Sequence, residues 1–447
     1  MSVGRSGRKA ILLWGGWLLA SLALAAWLGM SLLDKEASKT AFLPGAMTHG
    51  HHQIELQCSA CHDDGFDSQK VLQDACVNCH GEQLSDARDA HPKSKFTDPR
   101  NADRLANVDA RYCVSCHLEH RPELDVGMGV TLPMDMCVHC HQDIAEQRPS
   151  HEGMAFDTCA SAGCHNYHDN QALYEDFLLA HADEPWLSET PRLTPRNLAS
   201  RMQDADLLAL MQAGGKPAAD KTVPQHWDDN AHANAGVACT ACHGEGDEWA
   251  DKPAPLQCAQ CHEPETEGFL QGRHGMRLAL DLTPMTPSQS VLNMHVEASH
   301  RELTCISCHG AHDFGTQKAA VDSCLGCHND EHSNEYLRSS HHRLWQAEKR
   351  GELPPGSGVT CATCHMPRET RGDDVLVQHN QSLTLRPVEK MIRPVCMQCH
   401  GLEFAIDALA DPHLVENNFQ GKPEQHVPSV DMAVERDKAR EGKRGPY

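Results

Sequence analysis

The sequence repeats one short pattern of cysteine and histidine. All 22 cysteines of the 447-residue chain fall into pairs, and a histidine directly follows every pair. Ten pairs have the form C-x-x-C-H, and one has the wider form C-x4-C-H. The cysteine pairs are Cys58 and Cys61, Cys76 and Cys79, Cys113 and Cys116, Cys137 and Cys140, Cys159 and Cys164, Cys239 and Cys242, Cys258 and Cys261, Cys305 and Cys308, Cys324 and Cys327, Cys361 and Cys364, and Cys396 and Cys399. The histidines that follow them are His62, His80, His117, His141, His165, His243, His262, His309, His328, His365 and His400.

This spacing suits covalent attachment of haem. Two thiols one short turn apart can form thioethers to one edge of a haem, and the next residue then places its imidazole under the iron. A disulfide framework also needs an even number of cysteines, and zinc sites also use paired cysteines. Neither explains a histidine after every pair. The sequence therefore predicts eleven covalently attached haem c groups, with the eleven histidines as proximal ligands.

The composition agrees with a protein whose interior is built from cofactors. Aromatic residues make up only 5% of the chain, too few for an ordinary core of this length. We therefore expect a mainly α fold with much irregular structure, a haem-packed core and one N-terminal transmembrane helix. The formal net charge of −23 excludes a nucleic-acid partner, because phosphate binding needs a basic surface.

The remaining histidines are candidates for the second axial ligand of each iron. The chain has 32 histidines, which is enough to give every haem two imidazoles. Methionine is the alternative distal ligand and raises the potential of a haem. The distal candidates are His51, His52, His91, His120, His139, His151, His168, His232, His274, His295, His300, His312, His332, His341, His342 and His379.

The N-terminus predicts a membrane anchor. Arg5, Arg8 and Lys9 precede an uncharged stretch, residues 10–33, that is long enough to span a bilayer core. Positive charge before the stretch predicts residues 1–9 in the cytoplasm and the rest of the chain outside. A cleaved signal peptide is the competing interpretation. We expect a single-pass protein of the cell inner membrane with the bulk of the chain in the periplasm.

The motifs fall into two groups separated by 73 residues without cysteine. We predict a pentahaem domain over residues 45–186, termed the first block, and a hexahaem domain over residues 226–415, termed the second block. A linker is expected over residues 187–225. The charged tail, residues 420–447, is poor in apolar residues and is expected to be disordered.

The region after the anchor resembles multihaem c-type cytochromes, and the first block resembles cytochrome c3-type modules. In the second block, the segments Cys324–Trp345, Gly358–Pro367 and Met391–Phe404 look like the closing haems of the hydroxylamine oxidoreductase, octahaem reductase and cytochrome c nitrite reductase superfamily. That resemblance implies that the helix carrying His341 donates a distal ligand to a neighbouring haem. The nitrite reductases have a catalytic lysine in place of a proximal histidine, whereas His262 stands at the matching position here. No catalytic residue is assigned.

These features favour a membrane-anchored cytochrome that relays electrons through mostly bis-histidine haems. Its partners would be the membrane, a quinol dehydrogenase and a periplasmic or outer-membrane acceptor. The alternative is a reductase or oxidase of small nitrogen or sulfur compounds with one five-coordinate haem, for which the candidate is the haem on His262 with Arg273 and His274 as pocket groups. A third possibility is direct quinol oxidation by the first haem.

Overall fold

The computed structural model describes residues 5–33, 40–62, 69–87, 89–126, 129–159, 165–169, 173–184, 227, 230–372, 374–385 and 387–443. Most of the predicted linker, residues 187–225, lies outside the described residues, and so does Cys164. Nothing in the structure therefore tests that boundary.

Helices dominate the described residues, and most of them are short. In the first block and the anchor they are α1 (Arg5–Leu33), α2 (Gln69–Asp86), α3 (Lys93–Phe96), α4 (Val138–His141), α5 (Ile144–Gln147) and α6 (Glu175–Ala180). In the second block they are α7 (Ala231–Asn234), α8 (Thr240–His243), α9 (Glu263–Gln271), α10 (Met276–Ala279), α11 (Cys305–His309), α12 (Thr316–Ala320), α13 (Asp322–Leu325), α14 (Glu331–Glu335), α15 (Ser340–Lys349), α16 (Cys361–His365), α17 (Leu402–Ala410) and α18 (Pro412–Glu416). The helix α19 (Ser429–Lys443) follows them.

Strand structure in the described residues is limited to one hairpin. Strand β1 (Arg368–Arg371) pairs antiparallel with β2 (Asp374–Val377), so that Arg368 lies opposite Val377. A mainly helical fold with irregular connections was expected, and the structure has that character. Haem packing itself stays a prediction at this point.

Within the described part of the chain, the long helix α1 is exposed along most of its length. Its span Lys9–Ser31 is long and apolar enough to cross a membrane, and its most apolar 18-residue stretch has no buried residue. Trp14 and Trp17 are both exposed on it. An apolar helix that the rest of the chain does not cover is compatible with a membrane anchor or with a signal sequence.

Most of the cysteine motifs that the structure describes fold as one helical turn. The backbone N–H of the motif histidine donates to the carbonyl of the first cysteine, at 2.8 Å from His62 to Cys58 and 2.9 Å from His117 to Cys113. In α16 the Thr360 hydroxyl caps the turn by accepting from the N–H of Thr363. One tight turn therefore places both thiols and the imidazole of a motif close together.

The main apolar cluster joins the two blocks. Leu173 and Leu178, at α6 in the first block, pack with Leu402 and Ile406 of α17. Burial of such side chains contributes about 1.5–3 kcal/mol each. The two predicted domains thus share this cluster and are not separate packing units.

The prediction of a disordered tail was wrong for residues 429–443. Helix α19 buries Val430 and Ala433 in the same cluster. Arg436 and Arg440 of α19 pair with Glu175 of α6 at 2.8 and 2.9 Å. The charged composition hid a short apolar stripe at helical spacing, which is enough to dock a helix.

Candidate haem sites

The structure brings ten of the eleven motif histidines opposite a second histidine. For brevity, the sites are numbered 1 to 11 in the order of the motifs. The ring centroids of the pairs lie between 5.8 and 6.4 Å apart. From site 2 to site 5 the pairs are His80 with His51, His117 with His168, His141 with His91, and His165 with His151. From site 6 to site 11 they are His243 with His312, His262 with His232, His309 with His379, His328 with His274, His365 with His332, and His400 with His341.

This separation fits one iron between two imidazoles. A histidine–metal bond is about 2 Å long and the bonding nitrogen lies about 1.1 Å from the ring centroid, so two imidazoles on opposite faces of an iron have centroids about 6.2 Å apart. Two imidazoles in direct stacking contact have no reason to stay this far apart. The residues present therefore fit haem groups held by two histidines.

Hydrogen bonds at Nδ1 orient several of these rings. The Nδ1 of His117 lies 3.0 Å from the carbonyl oxygen of Gly129, and that of His243 lies 2.7 Å from the carbonyl oxygen of Ala250. Among the opposite histidines, the Nδ1 atoms of His91, His332 and His379 lie 2.5 to 2.7 Å from the carbonyl oxygens of Tyr167, Val415 and Val377. A carbonyl at this nitrogen selects the tautomer with a proton on Nδ1 and leaves Nε2 as the iron ligand.

At site 2 a carboxylate takes this role. Glu119 Oε1 lies 2.6 Å from His51 Nδ1, and the same carboxylate accepts from the N–H and hydroxyl of Thr48. Burial by itself raises the pKa of Glu119, but the hydrogen bonds from His51 and Thr48 outweigh it and bring the pKa down to about 2. The side chain is therefore an anion beside a candidate iron ligand. The sequence does not reveal it, because no local pattern marks a carboxylate 68 residues away from its histidine.

Six distal candidates are not among the ten pairs: His52, His120, His139, His295, His300 and His342. The Nδ1 of His342 lies 2.9 Å from the carbonyl oxygen of Leu337. The Nδ1 of His120 also lies 2.9 Å from a carbonyl oxygen, but this carbonyl belongs to Gly45, in the segment leading to site 1. That arrangement matches the one at the paired histidines.

An internal repeat relates the two blocks, and the sequence analysis had not noted it. His51 lies seven residues before Cys58, and His232 lies seven residues before Cys239. His120 and His312 each follow a motif histidine by three residues, and both have left-handed backbones, with φ of 62° and 69°. In the second block His312 faces the first motif of the repeat, at His243. By this correspondence, the repeat predicts that His120 pairs with His62 at site 1.

The pocket proposed for a reductase does not form at site 7. His232 faces His262 at 5.9 Å, whereas His274 faces His328 at site 9. Arg273 Nη1 lies 2.6 Å from His49 Nε2 in the first block. The side of site 7 on which a substrate would bind is therefore occupied by an imidazole, and the two expected pocket groups are engaged elsewhere.

Successive motifs lie next to each other in space. The side chains of Cys76 and Cys113 lie close together, and so do those of Cys137 and Cys159. In the second block the same holds for Cys258 with Cys305 and for Cys324 with Cys361. Haems attached at these cysteines would have neighbouring attachment edges.

Comparison with known proteins supports a multihaem c-type cytochrome. A family model described as cytochrome c3 matches residues 50–142 and 231–329, and each match spans four of the motifs. The two matches coincide with the two halves of the internal repeat. No curated protein and no solved structure matches the chain. The likeness of the second block to the hydroxylamine oxidoreductase superfamily stays a prediction.

Proposed function

We propose that the protein is a membrane-anchored undecahaem cytochrome that relays electrons through haems held by two histidines each. The observation that carries this proposal is the set of ten histidine pairs at the separation required by an iron. An iron with two imidazoles exchanges electrons, and the imidazoles block both faces to substrate. The haem supplies the redox chemistry, and the chain supplies ligation, orientation and tuning of potential.

The repeat supports extending this ligation to site 1. His120 corresponds to His312 in its position after the motif and in its backbone conformation. Its Nδ1 hydrogen-bond partner is the carbonyl of Gly45. With His120 at site 1, all eleven irons have two histidine ligands.

The contacts between neighbouring motifs support short electron-transfer steps between successive sites of each block. Sites 2 and 3, and sites 4 and 5, are joined by cysteine side-chain contacts in the first block. Sites 7 and 8, and sites 9 and 10, are joined in the same way in the second block. Closely spaced redox centres are what an electron relay requires.

The anchor and the charge suggest where the relay works. Helix α1 would hold the chain in the inner membrane, with the haem-bearing part in the periplasm, and site 1 follows the helix by only 24 residues. A quinol dehydrogenase or another membrane partner would donate electrons there. The strongly acidic surface favours a soluble or outer-membrane acceptor with a basic docking face.

Electron paramagnetic resonance of the purified, fully oxidised protein tests the proposal. The spectrum should contain only low-spin ferric signals. Mass spectrometry of the same protein should give a mass corresponding to eleven haem additions. A high-spin signal from one haem that disappears on addition of nitrite or hydroxylamine would overturn the carrier assignment in favour of a reductase.

A further inference from the structure

The two blocks touch at a place where both sides carry axial ligands. The segment 271–277, which runs from the last residue of α9 into α10, contains His274, which faces His328 at site 9. In the first block, residues 49–53 flank His51, which faces His80 at site 2. Helix α10 packs on the turn His52–Ile54.

Three side chains of this segment bind the first block. Arg273 Nη1 lies 2.6 Å from His49 Nε2, and Arg277 Nη1 donates to the carbonyl of Gln53 at 3.1 Å. Gln271 Nε2 donates to Glu82 Oε2 at 3.4 Å. Glu82 follows His80 by two residues on α2, so both ligand-bearing segments of site 2 contact the segment that carries His274.

We propose that electrons cross between the blocks from site 2 directly to site 9. This inference rests on the proposed relay function. One electron leaves the iron held by His51 and His80, which is oxidised from ferrous to ferric. It reaches the iron held by His274 and His328, which is reduced from ferric to ferrous. Sites 3, 4 and 5 then form a side branch and do not lie on the path between the blocks.

The other main contact between the blocks is a poorer crossing. It is the apolar cluster in which α6 packs with α17 and α19, reinforced by the pairs of Glu175 with Arg436 and Arg440. Site 5 approaches this contact, because His151 ends a 3-10 turn that packs on α19. On the other side His400 of site 11 precedes α17. Apolar side chains make up most of this contact, whereas hydrogen bonds directly link the ligand segments of sites 2 and 9.

The crossing can be tested by timed arrival of one electron. Ser59 is exposed and lies between the site 1 cysteines. It is replaced by a residue with an azide side chain, to which a ruthenium photosensitiser is coupled. After a flash in the presence of a reductive quencher, the photosensitiser injects one electron at site 1. The reporter is His341→Met, which gives site 11 a methionine ligand, a higher potential and a distinct ferric spectrum. Arrival is measured as loss of that spectrum in the full chain.

The decisive variant is the double substitution Arg273→Ala and Arg277→Ala in this labelled background. We expect the arrival time at site 11 to lengthen at least several-fold. Hydrogen exchange of the amides in residues 49–53 and 271–277 should accelerate at the same time. Glu175→Gln is the matched control, because it breaks the ion pairs of the other contact between the blocks, and arrival should be unchanged.

The outcomes separate the crossing from the relay. The crossing would be overturned if the arrival time at site 11 were unchanged in the double arginine variant although hydrogen exchange had accelerated. It would also be overturned if Glu175→Gln lengthened the arrival time and the double arginine variant did not. No arrival at site 11 in the labelled protein with all these residues intact would instead overturn the relay itself. Haem content measured for each variant identifies any chain that failed to mature.

Discussion

Glu119 and His51 form a carboxylate–imidazole pair, with 2.6 Å between Oε1 and Nδ1. His51 faces His80 on its other side, so the pair places a half-buried negative charge behind a proposed iron ligand at site 2. A carboxylate in this position raises the basicity of the ligand and stabilises the ferric state over the ferrous state. The first block therefore tunes the haem at which we propose that electrons leave it.

The substitution Glu119→Gln should raise the potential of the site 2 haem. If replacing the charged acceptor with a neutral one changes the balance between the two oxidation states by about 1.4 kcal/mol, the shift is about 59 mV for one electron. Redox titration followed by electron paramagnetic resonance resolves individual low-spin haems by their g values. Glu123→Gln is the control, because Glu123 is exposed and pairs with Arg121. An unmoved set of potentials in the Glu119 variant would show that the carboxylate does not tune the haem.

The substitution His232→Ala should open the distal face of site 7. His262 would then be the single imidazole on that iron, and a five-coordinate, high-spin haem that binds cyanide should appear. His139→Ala is the matched control, because His139 lies inside motif 4 and is not one of the ten facing histidines. A low-spin spectrum in the His232 variant would mean that another group ligates this iron.

The covalent and proximal haem ligands can be proposed from the sequence alone because their chemistry is local. Two cysteines and a histidine within one turn need no knowledge of the fold, as at Cys305, Cys308 and His309. The sequence also limited the distal ligands to a short set, and all ten facing histidines belong to it. Their pairing was not predictable, because partners such as His309 and His379 are far apart in the chain and meet only through packing.

Other features depended on tertiary contacts that composition does not encode. Helix α19 was missed because its buried face is only Val430, Ala433 and their neighbours, within a highly charged segment. The small amphipathic face becomes stable only because α6 and α17 offer an apolar surface. His274 was expected in the site 7 pocket but lies at site 9, and this position also depends on tertiary contacts.

The substitution His120→Ala should convert the site 1 haem to a high-spin form. The internal repeat is the reason, since His312 faces the corresponding motif histidine in the second block. His52→Ala is the control, because His52 lies in the same region and carries an ion pair with Glu55 but is not related to His312 by the repeat. High-spin haem in the His52 variant alone would reassign the ligand of site 1.

The stability of the C-terminal segment should depend on pH through His426. Its Nε2 lies 2.8 Å from Asp431 and its Nδ1 lies 3.1 Å from Asp407, and these hydrogen bonds raise the pKa of His426 to about 9. The protonated ring therefore clamps α17 to α19. Because the folded pKa lies above the unfolded value of about 6.5, this stabilisation is fully present below about pH 6.5 and is lost as the pH rises through about 9.

Limited proteolysis at the start of α19 measures this effect. In the native protein the cleavage rate should rise between about pH 6.5 and about pH 9.5, corrected for the pH dependence of the protease on an unfolded substrate. The His426→Gln variant should be cleaved faster at the lower pH and should lose this dependence. The His413→Gln variant should behave like the native protein, because His413 Nδ1 lies 3.2 Å from Asn417 Nδ2 at the end of its own helix, α18. A native profile that stays flat over this range would show that the clamp does not hold the helix.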